Sequence, residues 1–231
     1  MLVVGFDTAT PAVSVALHDG ERVVSEAFAT DGRRHGELLA PMIAKVMADV
    51  GASRADLTAV AVGVGPGPYT GLRVGVVTAR VLGAVLCIPV HGVCSLDVIA
   101  AATSLAAVPG REFLVATDAR RKEVYWARYD AAGRRLEGPG VGSAGSIAGA
   151  AELPVAGTGG QLYPEAFGEV IGPAYPDARM LCAIVAGQLG EQAVPSPAMV
   201  RRAVPLLTAE PLYLRRPDAR EPGPPKRVTP S

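Results

Sequence analysis

The chain has 231 residues, 49% of them hydrophobic, and 22 basic side chains balance 22 acidic ones. That is enough apolar sequence for the core of one large domain or two small ones. The zero balance excludes a body that holds nucleic acid by phosphate neutralisation alone. The cysteines, Cys87, Cys94 and Cys182, are odd in number, widely spaced and set in apolar sequence. They indicate neither a disulfide framework nor a CxxC metal or redox site and fit a reducing compartment. The opening MLVVGFD lacks a basic start and a long apolar stretch, so the expectation is a cytoplasmic chain without a membrane partner.

In chain order, LVVGF (2–6) runs to Asp7, AVSVALH (12–18) alternates, and Asp19-Gly20 turns into RVVSEAF (22–28), which reads as three strands. HGELLAPMIAKVMADVG (35–51) places Leu38, Leu39, Met42, Ile43, Val46, Met47 and Val50 at helical spacing, with Gly51 as a stop. TAVAVGVG (58–65) reads as a buried strand, and GPGPYTG then feeds a helix over 71–86 with Thr70 placed to cap it. CIPVHG (87–92) is strand-like, and 95–107 is helical with Ser95 as N-cap. The start of the chain then repeats. At an offset of 111, Asp7, Val13, Val15, Ala16 and Asp19 fall on Asp118, Val124, Trp126, Ala127 and Asp130. A further strand (153–157) and a helix (178–192) follow, and the end (215–231) is charged and proline-rich, with the composition of a disordered tail. The expected units are 1–108, 109–214 and this tail.

The segment GVGPGPYTGLRVGVVTAR (63–80) has the glycines of a phosphate loop, but Gly71 is followed by Leu72 and Arg73 rather than Lys-Ser/Thr. Pro66 and Pro68 also remove two backbone donors. Gly71, Gly75, Ala79 and Gly83 recur every four residues, a ridge along which another backbone can come close. Either this helix is buried against its own sheet, or with helix 35–50 it presents an apolar face to another subunit. Asp7-Thr8-Ala9-Thr10 is placed to meet magnesium and nucleotide phosphates, or is a turn held by short polar side chains. Its repeat partner, Asp118-Ala119-Arg120-Arg121, is bulky where a clamp would favour glycine. His18, His35 and His91 are isolated, with no HxxxH or HExxH.

GFDTATPAVSVAL, RRHGELLAPMI, GVGPGPYTGLRVGVVTAR, IPVHGVCSLDVIA, DARRKEVYWARYD and PLYLRRPDA together resemble the bacterial TsaB (YeaZ) family. The resemblance runs from residue 2 to about 219 and is most specific at GPGPYTGLRVG. It implies an α/β fold of the actin, Hsp70 and sugar-kinase type with two related β-β-β-α halves. It also implies a non-catalytic dimerization subunit. The partners would be the catalytic paralogue TsaD and the ATPase TsaE, and the product threonylcarbamoyl-adenosine beside the tRNA anticodon, with tRNA met through the complex. The paralogue's metal-binding HxxxH has Gly92 and Leu96 at the corresponding positions here, next to His91. The resemblance implies no cofactor beyond weakly held ATP or ADP with magnesium at Asp7, Thr8 and Thr10. In the family, helices matching 35–50 and 71–86 form the dimer face, with TsaD or with a second TsaB copy. That face here comprises Leu38, Leu39, Met42, Val46, Gly71, Leu72, Arg73, Gly75, Val76, Val77, Ala79, Arg80 and Gly83. Lys122 and the last dozen residues depart from the family pattern. The alternative is an ATP-binding transferase or glycoprotease-like metallopeptidase acting alone.

Overall fold

The computed structural model describes residues 1–106, 110–190 and 204–215. An antiparallel meander, β1 (Val3–Asp7), β2 (Ala12–His18) and β3 (Val23–Thr30), leads into α1 (His35–Ala48), β4 (Ala59–Gly63), α2 (Tyr69–Leu86), β5 (Val90–Val93) and α3 (Ser95–Leu105). The strands assemble in the order β3-β2-β1-β4-β5, with β4 parallel to both β1 and β5. Every residue of β1, β2 and β4 is buried. Strands covered on both faces need apolar side chains at successive positions, which is why β1 and β4 read as runs, whereas β2 interrupts its apolar residues with the buried Ser14 and His18.

The second half repeats the plan with β6 (Phe113–Asp118), β7 (Glu123–Tyr129), β8 (Arg135–Ser143), β9 (Val155–Ala156), α4 (Gly159–Leu162) and α5 (Ala178–Leu189). Its sheet runs β8-β7-β6-β9, with β9 parallel to β6. Two halves built on β-β-β followed by a parallel strand are the actin, Hsp70 and sugar-kinase arrangement expected from the sequence. The halves differ in one register step. Asp7 pairs with Ser14, but Asp118 pairs with Val124, one residue short of the position that the 111 offset gives. The tighter turn uses Arg120, Arg121 and Lys122, all left-handed with φ of 61°, 56° and 61°. Non-glycine residues pay about 1 kcal/mol each for that conformation.

The outer face of the first sheet is covered by α1 and α2, whose Leu39, Met42, Val46 and Val76 join Val4, Phe6 and Val60 in one cluster. Between the sheets lie α3 and α5. Val98 and Ala101 of α3, with Leu181, Ile184 and Val185 of α5, pack on Val3, Ala16 and Ala59 of the first sheet. Leu96, Ile99 and Ala100 of α3 pack on Phe113, Val115 and Tyr129 of the second. The expected unit 109–214 is therefore not self-contained. Helix α5 covers the inner face of the first sheet, and Leu207 exchanges hydrogen bonds with Gly92 on β5. Of the expected tail 215–231, only Arg215 lies within the described residues.

Two expected caps are corrected. Residue Pro68, not Thr70, is the N-cap of α2, and no side chain caps it. The N-cap of α3 is Cys94, which frees the Ser95 hydroxyl for another task.

Candidate functional site

That task begins at the end of β1. The Ser95 hydroxyl donates to Asp7 Oδ2 (2.5 Å) and accepts from the Gly65 N–H (3.1 Å), while the Ala9 N–H donates to Asp7 Oδ1 (2.7 Å). Asp7 is 1% exposed, and burial raises its pKa against the opposing pull of the Ser95 and Ala9 hydrogen bonds. The Asp7 carboxylate is thus a buried tie that pins the Gly65 loop to β1. The neighbouring Thr8 hydroxyl donates to the Gly71 carbonyl (2.8 Å) and accepts from the Gly75 N–H (3.1 Å). Both residues direct their oxygens into the chain itself, so Asp7 and Thr8 do not fit the magnesium and phosphate role expected for them. Thr10 accepts from the Ala12 N–H at 3.3 Å. Thr8 and Thr10 do border a small cavity of about 230 Å³ with Arg33, His35, Thr70 and Arg120, but Asp7 does not.

The Thr8 contacts decide which way α2 is turned. A Cβ on Gly75 would stand 2.5 Å from Thr8 Oγ1, and one on Gly71 would stand 2.5 Å from the Thr8 carbonyl. One on Gly83 would stand 2.2 Å from Val90. The ridge Gly71, Gly75, Ala79 and Gly83 is therefore closed by its own chain, and all four residues are buried. This corrects the expected interface: Leu39, Met42, Val46, Leu72 and Val76 are core residues as well. Of the expected face, Arg73, Val77 and Arg80 are exposed, and Leu38 is half-buried.

What α2 shows to the outside is a second every-fourth ridge. Val77, Val81 and Val85 are 51%, 54% and 74% exposed, an unusual display for three valines in one line. Tyr69 and Arg73 extend the ridge toward the helix start. The Arg73 guanidinium donates to the Tyr69 hydroxyl (2.7 Å) and lies 5.1 Å from its ring centroid. The Tyr213 ring stacks on Tyr69 at 5.1 Å between centroids. Beside this ridge α1 exposes Ala40, Ala44 and Ala48, again four residues apart. Small side chains there leave room for a neighbouring helix. Val81, Val85 and these alanines lie outside the face expected from the sequence, although their spacing is as regular as that of the glycines. Helix α2 is also the one described helix long and apolar enough to cross a membrane by length and composition, yet its other side is core.

Residues 23–162 match the family model for "TsaD: tRNA N6-adenosine threonylcarbamoyltransferase". YeaZ from Pseudomonas aeruginosa superposes with a TM-score of 0.71 at 28% identity, covering 92% of this chain and 99% of that one. The chain belongs to the TsaB (YeaZ) family. Escherichia coli "tRNA threonylcarbamoyladenosine biosynthesis protein TsaB" is 38% identical over 130 residues, 56% of this chain and 55% of that protein. An uncharacterized Mycobacterium tuberculosis protein is 42% identical over 228 residues, 94% of this chain and 93% of its own length.

Gly92 and Leu96, where the resemblance would put metal-binding histidines of the paralogue, are closely packed by their own chain. Gly92 is clasped by Leu207 through two backbone hydrogen bonds of 2.8 Å, and a Cβ there would meet the Thr208 carbonyl at 2.5 Å. Leu96 is fully buried. Among the described residues no three His, Cys, Asp or Glu side chains group as a metal site. The one buried carboxylate near this segment, Asp97, accepts from the Tyr129 hydroxyl (2.7 Å) and lies 3.5 Å from Arg135. Burial raises its pKa, and the Arg135 charge and Tyr129 hydrogen bond oppose that rise. This group ties α3 to the β7–β8 hairpin.

Proposed function

We propose that this chain is a non-catalytic subunit in tRNA threonylcarbamoyladenosine biosynthesis. It docks the outer face of α1 and α2 on the catalytic paralogue TsaD, acts with the ATPase TsaE, and meets tRNA through the assembly in the cytoplasm. Without TsaD the same face pairs with a second copy. The observation that carries the reading is the exposed Val77, Val81 and Val85 ridge beside the low-profile Ala40, Ala44 and Ala48. A helix whose other side is already core leaves such a ridge in water unless another molecule covers it. The Gly92 and Leu96 environment supports the non-catalytic part, because imidazoles at those positions would displace the 207–208 segment and the core. The Asp7 and Thr8 hydrogen bonds weigh in the same direction against an ATP-dependent enzyme acting alone.

The test is co-purification of the full chain with TsaD. Val81→Glu with Val85→Glu is expected to abolish the complex and the modification activity of the reconstituted set while leaving thermal unfolding unchanged. A complex that survives this double substitution would sink the reading.

A further inference from the structure

The segments that leave the carboxyl ends of β3, β4 and β6 border the cavity of about 230 Å³ described above. Crevices beyond the carboxyl ends of strands are where α/β sheets take up ligands. Arg33 lines this one from the first half and Arg120 from the second, and among the described residues no acid lines it. On its rim Arg34, Arg121 and Lys122 are exposed. Arg34 is engaged by Asp31 and Glu37, and Arg120 by Asp118, so cations outnumber acids there. The opposite ends of the same strands differ. Arg22, Arg54 and Arg111, which precede β3, β4 and β6, have Asp19, Glu21, Asp56 and Glu112 within three residues of them. Strands of this length set those arginines about 15–25 Å from the cavity end. The zero balance of the whole chain therefore contains a positive pole.

We propose that this pole binds the phosphate backbone of tRNA directly, with one phosphate in the cavity between Arg33 and Arg120 and its neighbours against Arg121 and Lys122. A row of cations on a turn suits a row of phosphates, which such side chains position without reading sequence. Arg120, Arg121 and Lys122 are all left-handed, so the turn carries charge at positions where glycine would be unstrained. A free nucleotide fits less well. Its clustered phosphate charge calls for magnesium, and the Asp7 and Thr8 oxygens are already engaged within the chain. A phosphodiester carries one charge per phosphate and is met by guanidinium and ammonium groups alone. That the polyanion is tRNA rests on the proposed function, to which this adds a contact made by the chain itself. Val81 and Val85 lie about 16–22 Å further along α2 than Thr70 of the cavity, so the pole is set apart from the docking ridge.

The experiment is fluorescence anisotropy of an unmodified tRNA transcript with the full chain alone, between about 50 and 200 mM salt. The expected result is weak, salt-dependent binding. Arg33→Gln with Arg121→Gln and Lys122→Gln should weaken it about tenfold or more and reduce the slope of log K against log salt by about 3. Arg22→Gln with Arg54→Gln and Arg111→Gln removes the same charge from the opposite ends of the strands and should leave the slope within about 1 of the parent. The exchange Arg33→Lys, Arg121→Lys and Lys122→Arg should retain binding, which separates lost charge from lost structure. Absence of tRNA binding by the parent at the low-salt end overturns the proposal, as do equal losses in the two neutralised variants. Displacement of the tRNA by stoichiometric ATP with magnesium would make a free nucleotide the occupant and overturn it too. Because the chain is tested alone, failure to bind TsaD counts against the proposed function and not against this contact.

Discussion

The turning of α2 can be tested at Gly75. Replacing it by alanine puts a methyl 2.5 Å from Thr8 Oγ1 and forces the hydroxyl out of its bridge between the Gly71 carbonyl and the Gly75 N–H. Two buried hydrogen bonds at about 1 kcal/mol each are lost. Overpacking adds about 1–2 kcal/mol, and the better helix propensity of alanine returns about 1 kcal/mol. The net loss is about 2–3 kcal/mol, or about 5–10 °C in Tm for a chain of this size. Removing Thr8 as well changes the sign. In a Thr8→Ala background the hydroxyl is gone, so Gly75→Ala keeps its propensity gain of about 1 kcal/mol without a clash. Urea denaturation of the four proteins in this double-mutant cycle, followed by circular dichroism, should show a coupling of about 3–4 kcal/mol between the sites. Equal effects of Gly75→Ala in both backgrounds would refute the packing argument. A stable Gly75→Ala chain that failed only in association would restore the glycine ridge as an interface.

Asp7 gives a pH signature. Its folded pKa is raised, so the unfolded chain ionises first and stability falls as pH rises from the ordinary value of 3.8 toward the folded one. Asp7→Asn keeps an acceptor for Ala9 without the buried charge, and the difference in stability between variant and parent should move in favour of the variant from pH 4 to 7. A constant difference across that range would contradict the assignment. Tyr129→Phe removes the donor to Asp97 Oδ1 and should cost about 1–3 kcal/mol at pH 7. That cost should shrink in acid as Asp97 takes up a proton, and a pH-independent penalty would count against the contact. Among the thiols, Cys94 is buried with its pKa pushed up to about 12, Cys182 is buried and pushed up as well, and Cys87 is exposed. Iodoacetamide on the native chain should give one adduct, at Cys87, by mass spectrometry; native labelling of Cys94 or Cys182 would show the core to be more open than described.

The strands were legible because buried β1 and β4 need unbroken apolar runs and β2 alternates, and the duplication because Asp7 and Asp118 end equivalent strands at a constant offset. Three properties were not. The one-residue register step depends on three left-handed residues, Arg120 to Lys122, whose side chains give no hint of such a backbone. The placement of α5 on the first sheet depends on contacts such as Ala178 N–H to Ser14 Oγ (2.9 Å), 164 residues apart. The third is the orientation of α2, which carries apolar or small residues on nearly every side. Periodicity then yields two competing ridges, glycine and valine, and contacts distant in sequence select between them, chiefly Thr8, 67 residues from Gly75, with Val90 against Gly83.

That selection also changes how the proposed association has to be probed. A substitution in the glycine ridge acts first on the Thr8 bridge and the seat of α2, so loss of a partner after Gly75→Leu would report folding rather than contact. Substitutions at Val81 and Val85 change only groups that water already reaches. The two ridges of one helix separate the questions. The glycine side reports on the fold through stability, and the valine side reports on the partner through association. If α2 is placed as described, a stability-neutral valine substitution and a destabilising glycine substitution should give opposite patterns in those two assays. Matching patterns would mean that one face of α2 serves both purposes, which the buried Leu72, Val76 and Ala79 leave no room for.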